Sequence, residues 1–169
     1  MSRERVVDAV AEAVLALRRN GPVRVAIDGP DAAGKTMLAD ELRDLVEAAG
    51  RSAVRVSIDG FLRPRRKRAE GDAQSAVGYY HEAFDAEAFN ELVLAPLRAD
   101  GDRVIRMASY DYQADSRTIG DAETERRYRE RYLPAQLLYR NEVAPIVRAH
   151  VLIDNEDPVR PVLLRCEAP

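Results

Sequence analysis

Residues 23–42 read VRVAIDGPDAAGKTMLADEL, and the fold turns on how this stretch is read. Val23 to Asp28 is a short β-branched run, which predicts a buried strand. From Thr36 to Ala49 the apolar residues Leu38, Leu42, Leu45 and Val46 recur at helical spacing, and Gly50 is a natural C-terminal stop. Between the two lies Gly29-Pro30-Asp31-Ala32-Ala33-Gly34-Lys35-Thr36, which fits G-x-x-x-x-G-K-[ST] with a strand before it and a helix after it. Gly29 and Gly34 let the backbone curl, so that the N–H groups of Asp31, Ala32, Ala33, Gly34, Lys35 and Thr36 turn inward. With the positive end of the following helix they make an anion cradle. Lys35 then reaches the β and γ phosphates of a nucleoside triphosphate, and the Thr36 hydroxyl faces Mg²⁺. The plainer alternative is a tight strand-to-helix turn carrying a chance lysine.

Working outward, Ala53 to Ile58 reads as a second strand. Strand, loop, helix and strand make one right-handed crossover of a parallel sheet. Arg3 to Arg19 reads as a leading amphipathic helix, with Val6, Val7, Val10, Val14, Leu15 and Leu17 on its apolar face and Asn20-Gly21-Pro22 as its stop. Gly60 to Gly78 reads as a mobile surface loop. Its cluster Arg63, Arg65, Arg66, Lys67, Arg68 is either a phosphate-steering patch or a solvated face. Asp85 to Arg98 reads as a helix with Phe89, Leu92, Val93 and Leu97 inward. A strand from Asp102 to Tyr112 follows a turn at Asp100-Gly101. Asp121 to Val147 reads as a long helical stretch interrupted by Pro134 and Pro145, its acids and arginines forming a solvated face. Val151 to Asp154 is a last strand, and residues 156–169 read as a tail.

The totals are those of one domain spanning 1–169. The chain has 169 residues, 46% hydrophobic and 33% charged, which suits one globular core. A net charge of −3 argues against a protein that coats nucleic acid. The single cysteine, Cys166, allows no internal disulfide and fits a reducing compartment. No apolar run approaches the ~20 residues that span a bilayer. The expected location is the cytoplasm, with no membrane and no nucleic acid among the partners.

The second strand ends Ile58-Asp59-Gly60-Phe61. An acid at the carboxyl end of a parallel strand points into the crevice where ligands bind. Asp59 is therefore a candidate general base for an acceptor hydroxyl, or a Mg²⁺ ligand through water. The alternative is that it only opens a turn with Gly60.

Taken together, RVAIDGPDAAGKTMLADEL, VRVSIDGFLRPR, VGYYHEAFDAEAFNELVLAPL, ASYDYQADSRT, RRYRERYLPAQLLY and HVLIDNEDP resemble the uridine kinase-like family of P-loop kinases, the bacterial branch with a leading helix. The resemblance covers most of the chain in the family's order. It implies an α/β P-loop NTPase fold, three-layer αβα around a mostly parallel sheet. It also implies transfer of a phosphoryl group from ATP or GTP, with Mg²⁺, to the 5′-hydroxyl of a pyrimidine nucleoside, uridine or cytidine. By resemblance Asp59 is the base and, with Thr36, a metal contact. Tyr79, Tyr80 and His81 approach the nucleoside, Tyr110 lies near the base, and Arg117 is a basic residue beyond it. Tyr79 and Tyr80 also fit ordinary rim aromatics, His81 a surface histidine and His150 a structural one.

The chain is shortened relative to that family. After the YD-aromatic segment the family has an apolar strand ending in an acid, a further strand and an arginine-bearing lid. Here Tyr112 runs through QADSRTIGDAE almost directly into RRYRERYLP. The absent strands flank the strand before the loop, whose backbone must then pair elsewhere. Arg117 or the Arg63–Arg68 cluster could stand in for the lid arginine. Asp115 stands where the family often has a histidine, which opens the acceptor to other alcohols, pantothenate-like or sugar-phosphate-like. A third reading is a nucleotide-binding module with impaired catalysis. A short sheet with open edges would also gain from a second subunit, which leaves a homo-oligomer open among the expectations.

Overall fold

The structure is a computed structural model, and it describes residues 2–70, 72, 74–98, 100–109, 111 and 121–167. In chain order its helices are α1 (Arg3–Ala16), α2 (Lys35–Ala48), α3 (Arg65–Glu70), α4 (Ala76–Glu82), α5 (Ala86–Phe89), α6 (Asp121–Arg127), α7 (Leu133–Val143) and α8 (Pro145–Arg148). Its strands are β1 (Val151–Asp154) and β2 (Val162–Cys166). The chain gathers into two compact units, Met1–Arg55 with Pro145–Pro169, and Val56–Ala144.

The first unit is built on α1 and α2. Ser2 caps α1 by accepting from the Arg5 N–H, and Val6, Val7, Val10 and Ala11 are buried at helical spacing. Val7, Val10 and Ala11 meet Leu42 of α2, and Ile27, Leu38, Leu45, Val151, Ile153 and Leu163 pack around them. Arg3 bridges to Glu41 of α2 at 2.8 Å. The helix ends at Ala16, earlier than the sequence suggests, because Leu17 is already extended. Gly50, in the left-handed region at φ +77°, follows the end of α2 as expected.

β1 and β2 form an antiparallel pair in the register Val151↔Cys166, Leu152↔Arg165, Ile153↔Leu163 and Asp154↔Val162, with an irregularity after Leu152. The expected tail therefore contains a strand. Asp157 makes the turn, its carboxylate accepting from the N–H groups of Val159 and Arg160, and Pro161 is fully buried. The prolines of this segment shape a hairpin turn rather than loosen a terminus.

Among the described residues this pair is the only sheet, and the expected parallel sheet is not formed by them. Residues 23–27, 53–57 and 102–106 join no ladder. Val25 is 50%, Val54 65% and Val104 70% exposed, far from the double-sided burial of parallel strands. The sequence offers a reason. No β-branched run stands between Tyr112 and Arg126 that could pair with them.

The second unit centres on Phe61, which is 0% exposed and meets Phe89 edge to face at 5.1 Å. The end of the second expected strand is instead a 3₁₀ turn, Ile58–Phe61, capped by Ser57. A Cβ on Gly60 would sit 2.8 Å from the Met107 carbonyl oxygen and 2.9 Å from Ala108 Cβ, so only glycine fits between these backbones. The expected loop from Gly60 to Gly78 holds this turn, α3 and the start of α4, whose N-cap Ser75 accepts from the Gly78 N–H at 3.0 Å. α5 runs on into a π turn, Asn90–Leu94. Pro134 does not interrupt the long helix. It sits in the first turn of α7, and a π turn over Tyr128–Tyr132 precedes it, the Leu133 N–H reaching the Tyr128 carbonyl. The wider turn accommodates a residue that cannot donate and that crowds the carbonyl four residues back. At Pro145 the helix does break, after Ala144 in the left-handed conformation.

Candidate nucleotide-binding site

The loop between residues 28 and 35 is the best-formed candidate site. Ala32 (φ +61°) and Gly34 (φ +77°) are both left-handed, and Gly34 is the N-cap of α2 with no side-chain cap bond. Left-handed residues set among right-handed ones turn successive N–H groups toward one side, which makes a concave anion receptor. The first N–H groups of α2 add their unsatisfied donors and the positive end of the helix dipole.

Lys35 leaves the helix at its first residue and folds back over the loop. Its ammonium donates to the carbonyl oxygens of Gly29 at 2.9 Å and Pro30 at 2.7 Å. The lysine there is a point charge held on two backbone carbonyls at the start of α2. Asp31 and Thr36 are exposed. An exposed hydroxyl at the start of α2 fits Mg²⁺, which keeps several waters and takes few protein ligands. Among the described residues no cluster of three or more acidic, histidine or cysteine side chains able to hold a metal occurs.

The loop is braced from a place the sequence did not signal. Asn155, just past β1, donates its side-chain amide to the Ala33 carbonyl at 3.0 Å. Arg3 of α1 donates to the Asn155 amide oxygen at 3.4 Å and to the Pro158 carbonyl at 3.2 Å, while its other nitrogens hold Glu41. A single arginine thus ties α1, α2 and the β1–β2 turn to the cradle. The only sequence hint is the short polar run IDNEDP at the end of the last expected strand.

The remaining candidates belong to the second unit. Asp59 is exposed in its 3₁₀ turn, and its carboxylate accepts from the Ser57 hydroxyl at 3.3 Å. Its carboxylate faces solvent, and it belongs to no group of three or more potential metal-ligating side chains among the described residues. Tyr79 is half-buried, with its ring covered on several sides. Tyr132 lies 5.0 Å away, Phe84 6.3 Å, and the Arg131 guanidinium stands 4.5 Å from the ring centroid. Tyr80 lies 4.6 Å from His81 and 6.4 Å from Tyr139. Its hydrogen bond to the Glu142 carboxylate chiefly, then desolvation, pushes the Tyr80 phenol above its usual range. His81 is exposed. Tyr110 and Arg117, and with them Asp115, lie outside the described residues. In the basic cluster Arg65, Arg66 and Lys67 are exposed on α3, while Arg68 donates to the Arg63 carbonyl at 2.8 Å.

No family model matches the chain, and no curated protein matches it. Among solved structures, one described as a possible uridine kinase from Bacillus stearothermophilus is similar over 86% of this chain and 96% of that one, with a TM-score of 0.71 and 20% identity. The chain has a uridine kinase-like fold. It is therefore an α/β chain, and the loop from Gly29 to Gly34 leads directly into α2. The likeness is of chain path across nearly the whole of the other structure, and it holds although residues 23–27 and 53–57 form no ladder here. No described helix is long and apolar enough to cross a membrane.

Proposed function

We propose that the chain is a phosphotransferase that moves the γ-phosphoryl group of ATP or GTP to a hydroxyl of a small acceptor, in the first instance the 5′-hydroxyl of uridine or cytidine. The observation that carries this reading is the cradle: left-handed Ala32 and Gly34 at the start of α2, with the Lys35 ammonium resting on the Gly29 and Pro30 carbonyls. On binding, Lys35 leaves these oxygens for the β and γ phosphates, and the loop amides take the remaining phosphate oxygens. Thr36 would hold Mg²⁺, which neutralises charge developing on the transferring group. Asp59 accepts the proton of the attacking hydroxyl, a role worth about 10²- to 10⁴-fold. The fold of a possible uridine kinase supports the reading, and so does the family resemblance of the sequence. A cytoplasmic, small-molecule enzyme that works as a homo-oligomer belongs to the same proposal.

One observation favours an alternative acceptor. The Tyr79 ring is already covered by Arg131 and flanked by Tyr132 and Phe84, which leaves little of it for a stacked pyrimidine. Another alcohol substrate, or base contact through Tyr80, fits that arrangement better. The unpaired residues 23–27 favour the third reading, a module that binds nucleotide without turning it over.

The test is ADP release from Mg-ATP with a panel of alcohols, uridine and cytidine first, against Lys35→Ala as the blank. Uridine- or cytidine-dependent release supports the nucleoside kinase, and release with another alcohol redirects the acceptor. No release with any acceptor, while ATP still raises the melting temperature, leaves only the binding module.

A further inference from the structure

The segment ETERRYRERY reads as a solvated face, and one of its arginines is not solvated. Arg131 is 5% exposed. The π turn over Tyr128–Tyr132 carries it inward, since an extra residue in one turn shifts the phase by about 100°. The guanidinium carbon stands 4.5 Å from the Tyr79 ring centroid and 5.2 Å from that of Tyr132. Among the described residues Arg131 makes one long hydrogen bond, to the Gln74 side-chain oxygen at 3.4 Å. Its Nε is buried with no partner.

Beside Arg131 lies a cavity of ≈ 100 Å³ lined by Gln74, Glu123, Arg126, Arg127, Glu130 and Arg131. That is the space of about three waters. Both acids are engaged: Glu123 bonds Arg127 at 2.6 Å and Glu130 bonds Arg126 at 3.3 Å. Arg131 has no carboxylate among the described residues. A buried cation on two aromatic faces, with an idle donor and a polar cavity next to it, lacks only an anion. Arg68 and Arg127 lie near enough to add to the positive field; desolvation first, and then these two charges, depress the Arg131 pKa.

We infer that this cavity is an oxyanion site for a single phosphate group, free or carried as a phosphate monoester, with Arg131 as its innermost ligand. The planar donor fork of Arg131 fits two oxygens of such a group. The three arginines outnumber the two acids lining the cavity, so a bound phosphate completes the charge pairing. The site lies wholly within residues 56–144 and does not depend on the loop at Lys35 or on the nucleotide reading.

Calorimetric titration of inorganic phosphate into the Lys35→Ala protein, against chloride at equal ionic strength, tests this. Lys35→Ala weakens phosphate capture at the loop, and any remainder is common to all variants compared. Saturable binding is expected, weakened about tenfold or more by adding Arg131→Gln, as loss of charge-assisted hydrogen bonds implies. Arg126→Gln, at a more exposed position, is expected to weaken it several-fold and decides the matter if Arg131→Gln does not fold. Glycerol 3-phosphate binding as well as phosphate assigns the site to esters; phosphate alone assigns it to the free ion. An equal response to acetate or chloride, or affinity unchanged in Arg126→Gln and in any folded Arg131→Gln, overturns the inference.

Discussion

Gly34→Ala tests the geometry on which the nucleotide site rests. At φ +77° an alanine carries a backbone penalty of about 1–2 kcal/mol. Its Cβ would also stand 3.1 Å from Asn155 Nδ2. The amide must retreat by a few tenths of an ångström, at the expense of its 3.0 Å bond to the Ala33 carbonyl, a bond worth about 0.5–1.5 kcal/mol. Together these give a loss of about 2–3 kcal/mol, or roughly 5–10 °C in melting temperature for a chain of this size. Asn155→Ala alone removes the bond and costs about 1 kcal/mol. In the double variant the bond is lost only once and the crowding is relieved, so it should be about 1 kcal/mol more stable than the sum of the singles. The assay is thermal unfolding of the four proteins, repeated with Mg-ATP. In Gly34→Ala the ATP-induced rise should shrink, because the cradle amides no longer converge. A Gly34→Ala protein melting within about 1 °C of the parent, with its full ATP response, would show that the left-handed turn is not what shapes this loop.

Other consequences are open to simpler measurements. Asp59→Asn keeps the side-chain shape and removes the base, so phosphoryl transfer should fall by about 10²- to 10⁴-fold while ATP-dependent thermal stabilisation is unchanged; full-rate transfer would remove Asp59 from the mechanism. Phe61→Ala empties the fully buried site against Phe89 and should cost about 3–5 kcal/mol in urea unfolding; a cost below about 1 kcal/mol would mean that the second unit is not organised around this ring. The Tyr80 pKa is raised in the folded protein, by Glu142 first. The stability it contributes is therefore fully present below the unfolded tyrosine value of about 10 and lost as pH rises through the folded value. Tyr80→Phe should flatten that alkaline decline, and an unchanged pH profile would count against the Glu142 contact.

Local signals in the sequence are dependable. Val7, Val10 and Leu42 announce themselves by helical period, and the loop from Gly29 to Thr36 by the spacing of two glycines and a lysine. Each depends on residues within a few turns of one another. Strand pairing does not. The β-branched runs at 23–27 and 53–57 have the composition of parallel strands, but a ladder needs a neighbour, and no described residue is paired with them. β2 is hidden in the sequence because Pro158 and Pro161 suggest a tail, whereas they flank the turn made by Asp157. Arg131 is hidden for a different reason. Face assignment assumes an even helical period, and the π turn ahead of Pro134 shifts the phase just where the arginine sits. The bracing by Asn155 and Arg3 links residues 122 and 152 positions apart, a separation that no local pattern can report.

Those separations also bear on the order of events during synthesis. Residues 56–144 are contiguous, and their unit can begin to form before the ribosome has completed the C-terminal segment. The loop from Gly29 to Gly34 belongs to the other unit, assembled from residues 1–55 and 145–169. Its bracing amide arrives 122 positions after the carbonyl it holds, a closure that costs about 4 kcal/mol in chain entropy. Until Asn155 has emerged, the loop and α2 are present without their support, and the proposed nucleotide site is unfinished. Captured nascent chains should therefore gain nucleotide affinity late and abruptly, after the β1–β2 turn clears the exit tunnel.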